Sequence, residues 1–416
     1  MGVTGLVALP VLALTKTLTP AQVFSGYANP TVWLIFTAFL FATAVTSTRF
    51  GLRVAYIFIK RFGRSPLTLG YSIGGAGLVL APFVPSDTAR GGGIISPIVV
   101  SIARAVGSEP GPTAGQLGGF LTLVGFHSNY TASAMFLTGM AANPLMAEFA
   151  QQVAGIQITW IDWALGAIVP GALALILVPM FIFRLHPPRL RNTEKAREVA
   201  REELGKMGPL SRREGWLVAI MLLVMAGWVA SPWHGIHNTI VALAGVSALL
   251  LTGVISWNDL LAEGKAWDAL VWFGAVIMMA DMLLQLGVVS LLSKSAFPYI
   301  DHWPAMAALA GLVTLYCYIH YGFASMTAQA TALYTTFLAA AIAAGAAPLV
   351  SALSLAYFSN INASTTHYGT GSAPVFFGTG YVSQADWWRV GFLVSLLNLA
   401  LWLGIGLLWW KALGWW

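Results

Sequence analysis

Pro85-Ser86-Asp87-Thr88-Ala89-Arg90-Gly91-Gly92-Gly93 parts two apolar runs, residues 67–83 and 94–106. A proline, a cluster of small and polar side chains and three glycines cannot carry a membrane helix through. In hydrocarbon each freed backbone N–H or C=O costs several kcal/mol. Such a break survives only where it is buried in protein or lines a wet cavity, so it reads as the tip of a re-entrant helical hairpin. Ala324-Ser325-Met326-Thr327-Ala328 also lies between apolar runs. The two stretches share Ser-x-Thr-Ala, 239 residues apart. Paired breaks at corresponding places in two halves point to the binding site of a carrier.

Outside these breaks the chain is built for lipid. Of 416 residues, 58% are hydrophobic and 9% charged, and the mean hydropathy is +0.76. A soluble domain carries roughly 25% charged residues. The fold class is therefore an all-α polytopic membrane protein. Cys317 is the single cysteine and sits in an apolar run, which excludes a disulfide framework or a Cys metal site. The net charge of +6 does not mark a nucleic-acid binder, because the charges follow membrane topology. Met1 opens into an apolar run without a basic leader or small-residue cleavage site, so no cleaved signal is expected.

Hydropathy divides the chain in order. Residues 3–14 form a short span, 15–29 a polar loop and 31–48 a span. Residues 50–62 carry Arg53, Lys60 and Arg61 among aromatics and read as an interfacial helix. The first hairpin is 65–105, with its tip at 86–88. Segment 116–150 is interrupted at 126–131 and again at Asn143-Pro144, and 160–184 spans. The polar linker 186–214 holds an amphipathic helix. Spans follow at 216–230, 239–257 and 267–286, then an interfacial stretch at 288–302. The second hairpin is 303–345, with its tip at 325–327. Segment 349–381 is broken over 359–374, and 387–413 is the last span. The order of elements thus repeats, and so do residues: Ser128-Asn129-Tyr130-Thr131-Ala132-Ser133 matches Ser359-Asn360-Ile361-Asn362-Ala363-Ser364 at an offset of 231.

The expected division is scaffold in 1–64 and 216–302, transport segments in 65–184 and 303–416, and a cytoplasmic linker in 185–215. With that linker inside, every Lys and Arg except Lys16, Lys294 and Lys411 falls on the cytoplasmic side. The hairpins then enter from opposite faces, as an inverted repeat.

Each tip presents helix N-termini and hydroxyls, which suit a carboxylate without fixed charge. Ser86, Thr88, Ser325 and Thr327 are the candidate donors, and glycines at 91–93 and 369–371 allow close backbone approach. Asp87 is out of place in an anion site, since like charges repel. It pairs with Arg90, takes part in proton exchange, or helps hold a cation. Arg90 either forks a substrate carboxylate or neutralises its surroundings. His127, His320 and His367 lie in or near breaks and read as packing residues or proton relays, and Asp281 as an interfacial cap or a proton site.

Several blocks resemble the divalent anion:sodium symporter family: Pro85–Arg90, His320-Tyr321-Gly322-Phe323-Ala324-Ser325, Thr366-His367-Tyr368-Gly369-Thr370-Gly371, residues 376–382 and the tail Trp409-Trp410-Lys411. Within it they are similar to the branch of bacterial citrate or tartrate/succinate antiporters and the plastid 2-oxoglutarate/malate translocator. The resemblance covers essentially the whole chain. It implies a homodimeric elevator-type carrier of di- or tricarboxylates, in a bacterial inner membrane or plastid inner envelope, with further spans before residue 1. It also implies a substrate site at Ser86, Asp87, Thr88, Arg90, Ser325, Met326, Thr327, Thr366, His367, Gly369 and Thr370. A sodium ion near Ser86, Asp87 and Thr138 is the one cofactor it suggests. Two departures from the family's Ser-Asn-Thr tips stand out: Asp87 and Met326 replace the asparagines. Met326 offers no amide oxygen, which weakens a second sodium site and favours exchange.

The sequence therefore predicts a secondary carrier that exchanges small carboxylates. Sodium-coupled uptake and a sulfate or other oxyanion cargo are the alternatives within the class. A channel is a third, and an intramembrane enzyme would need a zincin-type or Ser/Lys motif that the sequence lacks.

Overall fold

The computed structural model describes residues 2–287 and 303–416, apart from the side chain of Leu284. The expected interfacial stretch at 288–302 lies outside the described residues. Every regular element among them is helical. Six helices are long and apolar enough to cross a membrane: Pro30–Ser47, Trp160–Leu185, Gly264–Leu283, Ala305–Gly322, Met326–Ala343 and Gln384–Ala412. Shorter apolar helices are Gly2–Leu14, Pro66–Leu80 and Asn238–Leu251.

Local chemistry sets the ends. Asn29 caps Pro30–Ser47 through Thr31 N, with Pro30 in the first turn, where no N–H is needed. Thr159 and Asp162 form a capping box at the start of Trp160–Leu185. The last span runs from Gln384 to Ala412 with a π-helical turn over Ala400–Ile405. The interfacial helix spans Phe50–Phe62, and the linker helix Glu194–Met207.

Three expectations need correction. Residues 15–29 are not a plain loop: Thr19 caps a short helix, Pro20–Phe24, that continues as a 3₁₀ turn through Ala28. The polar block 126–131 does not interrupt its segment, because Gly118–Met135 is one helix. Polar side chains there find partners without unwinding the backbone: Thr131 donates to the His127 carbonyl, and His127 Nδ1 meets Tyr130 Oη. The true break is at 136–141, and Pro144 lies in the first turn of Ala142–Ala154, where a helix tolerates it. Likewise Ser359-Asn360-Ile361 still belong to Pro348–Ile361, and the irregular stretch begins later.

All residues of Gly118–Met135 are buried, and so are Val350–Ile361. A helix covered on every side is the axis of its body. Gly118–Met135 packs against Pro66–Leu80, Ser96–Ala105, Trp160–Leu185 and Pro348–Ile361. Asn143 fastens this centre: its Nδ2 donates to the Ser133 and Phe136 carbonyls, and its Oδ1 accepts from Asn360 Nδ2 at 2.9 Å. The helices Gly2–Leu14, Pro30–Ser47, Arg212–Val229, Asn238–Leu251 and Gly264–Gln285 pack mainly on one another. Glu148 joins the two groups, accepting from Asn29 Nδ2 at 2.8 Å and Thr31 Oγ1 at 3.0 Å.

Candidate functional site

After Pro66–Leu80 the chain turns through residues 81–86 and resumes as a π-helical turn, Thr88–Ile95, that leads into Ser96–Ala105. Ser86 Oγ accepts from Ala89 N at 3.1 Å. In the second half, Ser325 Oγ accepts from Ala328 N at 3.3 Å. Each serine therefore caps the helix after its break and keeps its own O–H free to donate.

Asp87 is buried but not bare. Its Oδ1 accepts from Asn129 Nδ2 at 2.5 Å and faces Ser133 Oγ at 3.4 Å. Its Oδ2 accepts from Thr370 Oγ1 at 2.8 Å and Ser372 Oγ at 2.5 Å. Arg90 is fully buried. Its Nε donates to Asn129 Oδ1 at 3.0 Å, one terminal nitrogen to the Val84 and Gly139 carbonyls, and the other to the Asn129 carbonyl and Ser133 Oγ. An Arg has five N–H donors, and all five are used inside the protein. The expected Asp87–Arg90 pair is not a direct contact. Asn129 and Ser133 stand between the two, so the charges are bridged rather than paired.

The irregular stretch 366–372 ties this tip to the second break. Thr370 and Ser372 hold Asp87, and Gly371 lies so close to Thr88 that a Cβ there would push the Thr88 side chain aside. The Gly369 carbonyl accepts from His320 Nε2 at 2.8 Å. His320 Nδ1 faces Gln329 Oε1 at 2.5 Å, and Gln329 Nε2 donates to the Tyr316 carbonyl. Gln329 occupies the place of Arg90 at the 239-residue offset, as buried Met326 occupies that of Asp87. The second break thus carries an uncharged counterpart of the first.

Not every candidate converges on the tips. Thr88 is exposed, and Ser86, Ser325 and Thr327 are half-buried. Thr366 is buried with an unpartnered hydroxyl, near which a Cβ at Gly369 would fall, 2.9 Å away. His367 turns into an aromatic pocket, where Nδ1 accepts from Trp388 Nε1 at 2.9 Å beside Phe377. Thr138 Oγ1 accepts from Trp160 Nε1. Asp281 is half-buried, and its Oδ2 accepts from Gln285 Nε2 at 3.3 Å. Asn129, Ser133, Ser372 and Gln329 were not singled out by sequence. Two of them lay in the repeated Ser-Asn-x-x-Ala-Ser block, which was the available signal.

A family model described as "Sodium:sulfate symporter transmembrane region" matches residues 1–416. The chain belongs to the divalent anion:sodium symporter family. It is a membrane transporter and not an enzyme. "Putative malate transporter YflS" of Bacillus subtilis is 46% identical over 417 residues, covering 100% of this chain and 87% of the relative. "Dicarboxylate transporter 1, chloroplastic" of Spinacia oleracea is 43% identical, with 100% and 74% covered. Such relatives fit a bacterial inner membrane or a plastid envelope. Among solved structures, Neisseria gonorrhoeae MtrF superposes with a TM-score of 0.63 at 13% identity, covering 96% of this chain and 84% of that one. The Alcanivorax borkumensis YdaH transporter gives 0.62 at 16%, covering 96% and 89%. At these identities the likeness is one of fold alone.

Proposed function

We propose that this member of the family is a secondary carrier that exchanges one small di- or tricarboxylate for another, with succinate, malate, 2-oxoglutarate, citrate and tartrate as candidates. The closed hydrogen-bond circuit around Asp87 and Arg90 carries this reading. It balances the two charges and leaves the hydroxyls of Ser86 and Thr88 available, so an anion meets donors at a tip without net charge. Ser325 and Thr327 supply the matching donors for its second carboxylate. The same circuit argues against coupling to sodium at this tip. The Val84 and Gly139 carbonyls, freed by the breaks at 81–86 and 136–141 and suited to a hard cation, are taken by the guanidinium. The relatives named for malate and dicarboxylate support the cargo class.

In this reading segments 65–184 and 303–416 move as one body past 1–64 and 216–302, within a homodimer. The Asn143–Asn360 bond, which ties the two transport segments together, supports the single body. The test is exchange in liposomes preloaded with unlabelled succinate. Labelled malate should enter only preloaded vesicles, and equally in sodium and in choline. Uptake that requires sodium and no internal substrate would overturn the exchange reading. Sulfate exchanging as fast as malate would favour an oxyanion cargo.

A further inference from the structure

A cavity of about 780 Å³ opens where the interfacial helix Phe50–Phe62 meets the linker helix Glu194–Met207. Five of its lining side chains are cations, Lys60, Arg61, Arg64, Arg197 and Arg201, and none is acidic. Ile57, Phe62 and Leu204 complete the lining, with Phe62 54% and Ile57 48% exposed. Like charges gathered without acids repel one another, so the cluster is more stable around an anion.

The frame holding the cluster is rigid. Arg53 forks Glu214 at 2.6 and 3.2 Å and donates to the Gly208 carbonyl, which fastens the linker to the interfacial helix. Arg197 Nε donates to the Lys60 carbonyl at 3.0 Å, and Thr193 Oγ1 to the Gly63 carbonyl at 2.9 Å. Arg197 also meets Glu194 at 2.6 Å, so one lining cation is partly neutralised. Among the described residues, Lys60, Arg61, Arg64 and Arg201 have no acidic partner within 4 Å. The cavity is of ligand size. It lies on the cytoplasmic side assigned by the Lys and Arg distribution, beside exposed apolar side chains of the helix that the sequence reads as interfacial.

We propose that this cavity binds the phosphate headgroup of an anionic phospholipid of the cytoplasmic leaflet. The cations hold the phosphate, and Ile57 and Phe62 lie along the first methylenes of an acyl chain. A free phosphate would use the cations and leave the apolar rim bare, which is why the lipid is favoured. The bound lipid clamps the interfacial helix to the linker at the root of the first helix–break–helix unit, next to Gly63 and Ser65.

The experiment is native mass spectrometry of the full-length protein, purified with phosphatidylglycerol or phosphatidylcholine, alongside exchange in liposomes of either lipid. Each surface cation contributes about fivefold to headgroup affinity, so Arg61→Ala/Arg64→Ala/Arg201→Ala should lose about a hundredfold. Wild type should retain phosphatidylglycerol and not phosphatidylcholine, and inorganic phosphate should not displace it. Arg191→Ala/Lys195→Ala/Arg212→Ala removes equal charge from outside the cavity and should retain the lipid as wild type does. Equal loss in both triple variants would reduce the effect to bulk charge and overturn the site. Retention in the first triple variant, or displacement by phosphate, would also overturn it.

Discussion

Replacing Arg90 by lysine separates its two possible roles. Lysine keeps the positive charge but offers three donors in place of five. Asn129 O and Ser133 Oγ keep their bond to each other, but the ammonium cannot reproduce the planar fork, and two of the three oxygens that the guanidinium alone serves, among Val84 O, Gly139 O and Asn129 Oδ1, would be left bare in a buried site. Each bare acceptor costs about 1–3 kcal/mol, so Arg90→Lys should destabilise the protein by about 2–6 kcal/mol. Asp87 keeps a nearby cation, so the tip remains neutral and the donors proposed for the substrate, Ser86 and Thr88, are left in place. The assay is thermal unfolding of the purified carrier in nanodiscs, with and without malate. The unliganded midpoint should fall by several degrees. The rise on adding malate should match wild type, since ligand at a hundred times Kd adds about 2.7 kcal/mol whatever the starting stability. A wild-type midpoint combined with a vanished malate response would refute the reasoning, because it would place the guanidinium on the substrate. Arg90→Met leaves Val84 O, Gly139 O and Asn129 Oδ1 without a donor and removes the cation that balances Asp87, a further cost of about 3–5 kcal/mol, and should fail to accumulate as folded protein.

Two further predictions concern the frame of the molecule. Burial pushes the Glu214 carboxyl up, but hydrogen bonds from Arg53 and from the Ser211 backbone and hydroxyl outweigh it and hold it below its usual 4.5. A carboxyl held low adds stability above its unfolded value and loses it as pH falls through the folded one. Glu214→Gln should therefore destabilise by about 3–5 kcal/mol at pH 7, and the gap to wild type should close as the pH drops below 4.5; a gap independent of pH, read from unfolding midpoints, would contradict this. Gly391 packs its Cα against the Ser364 carbonyl, where a Cβ would collide with backbone. Gly391→Ala should thus cost more than the about 1–3 kcal/mol typical of core overpacking, and a folded, fully active variant would show that the contact is loose.

Much of the architecture was written in composition. A break ahead of Thr88 and its partner ahead of Met326 were legible because proline and unpaired polar groups have few places to go in hydrocarbon, but the expected break ran too far: Gly91, Gly92 and Gly93 lie within the π-helical turn Thr88–Ile95. The ends of the spans were legible where caps mark them, as at Asn29 and Thr159. What hydropathy could not convey was the fate of polar residues that bring their own partners. His127, Asn129 and Thr131 look like an interruption on a hydropathy scale, yet the helix runs straight through them. Asn129 sends its amide to Asp87 and Arg90, and Thr131 sends its hydroxyl back to its own helix. Those contacts arise between segments 39 to 46 residues apart, and no local pattern reports them. The same blindness hid Ser372, which is 285 residues from the carboxylate it holds.

The balance of charge at the two breaks bears on how such a carrier can work against a membrane potential. Asp87 and Arg90 cancel at the first break, and at the second the matching places hold Met326 and Gln329, which carry no charge. A carrier loaded with a dicarboxylate would then cross with the substrate's two negative charges and no others from this pair of tips. Moving one charge through 100 mV takes about 2.3 kcal/mol, so uncompensated entry of a dianion into a negative interior would be opposed by about 4.6 kcal/mol, or about three decades in accumulation. A sodium-coupled carrier removes that opposition by moving cations with the anion. Here the Val84 and Gly139 carbonyls, which could otherwise receive a cation at the first break, are bound to a guanidinium. On the exchange reading proposed above, a second dianion sent back makes the cycle electrically neutral without a cation at this tip, whatever the substrate's carbon skeleton.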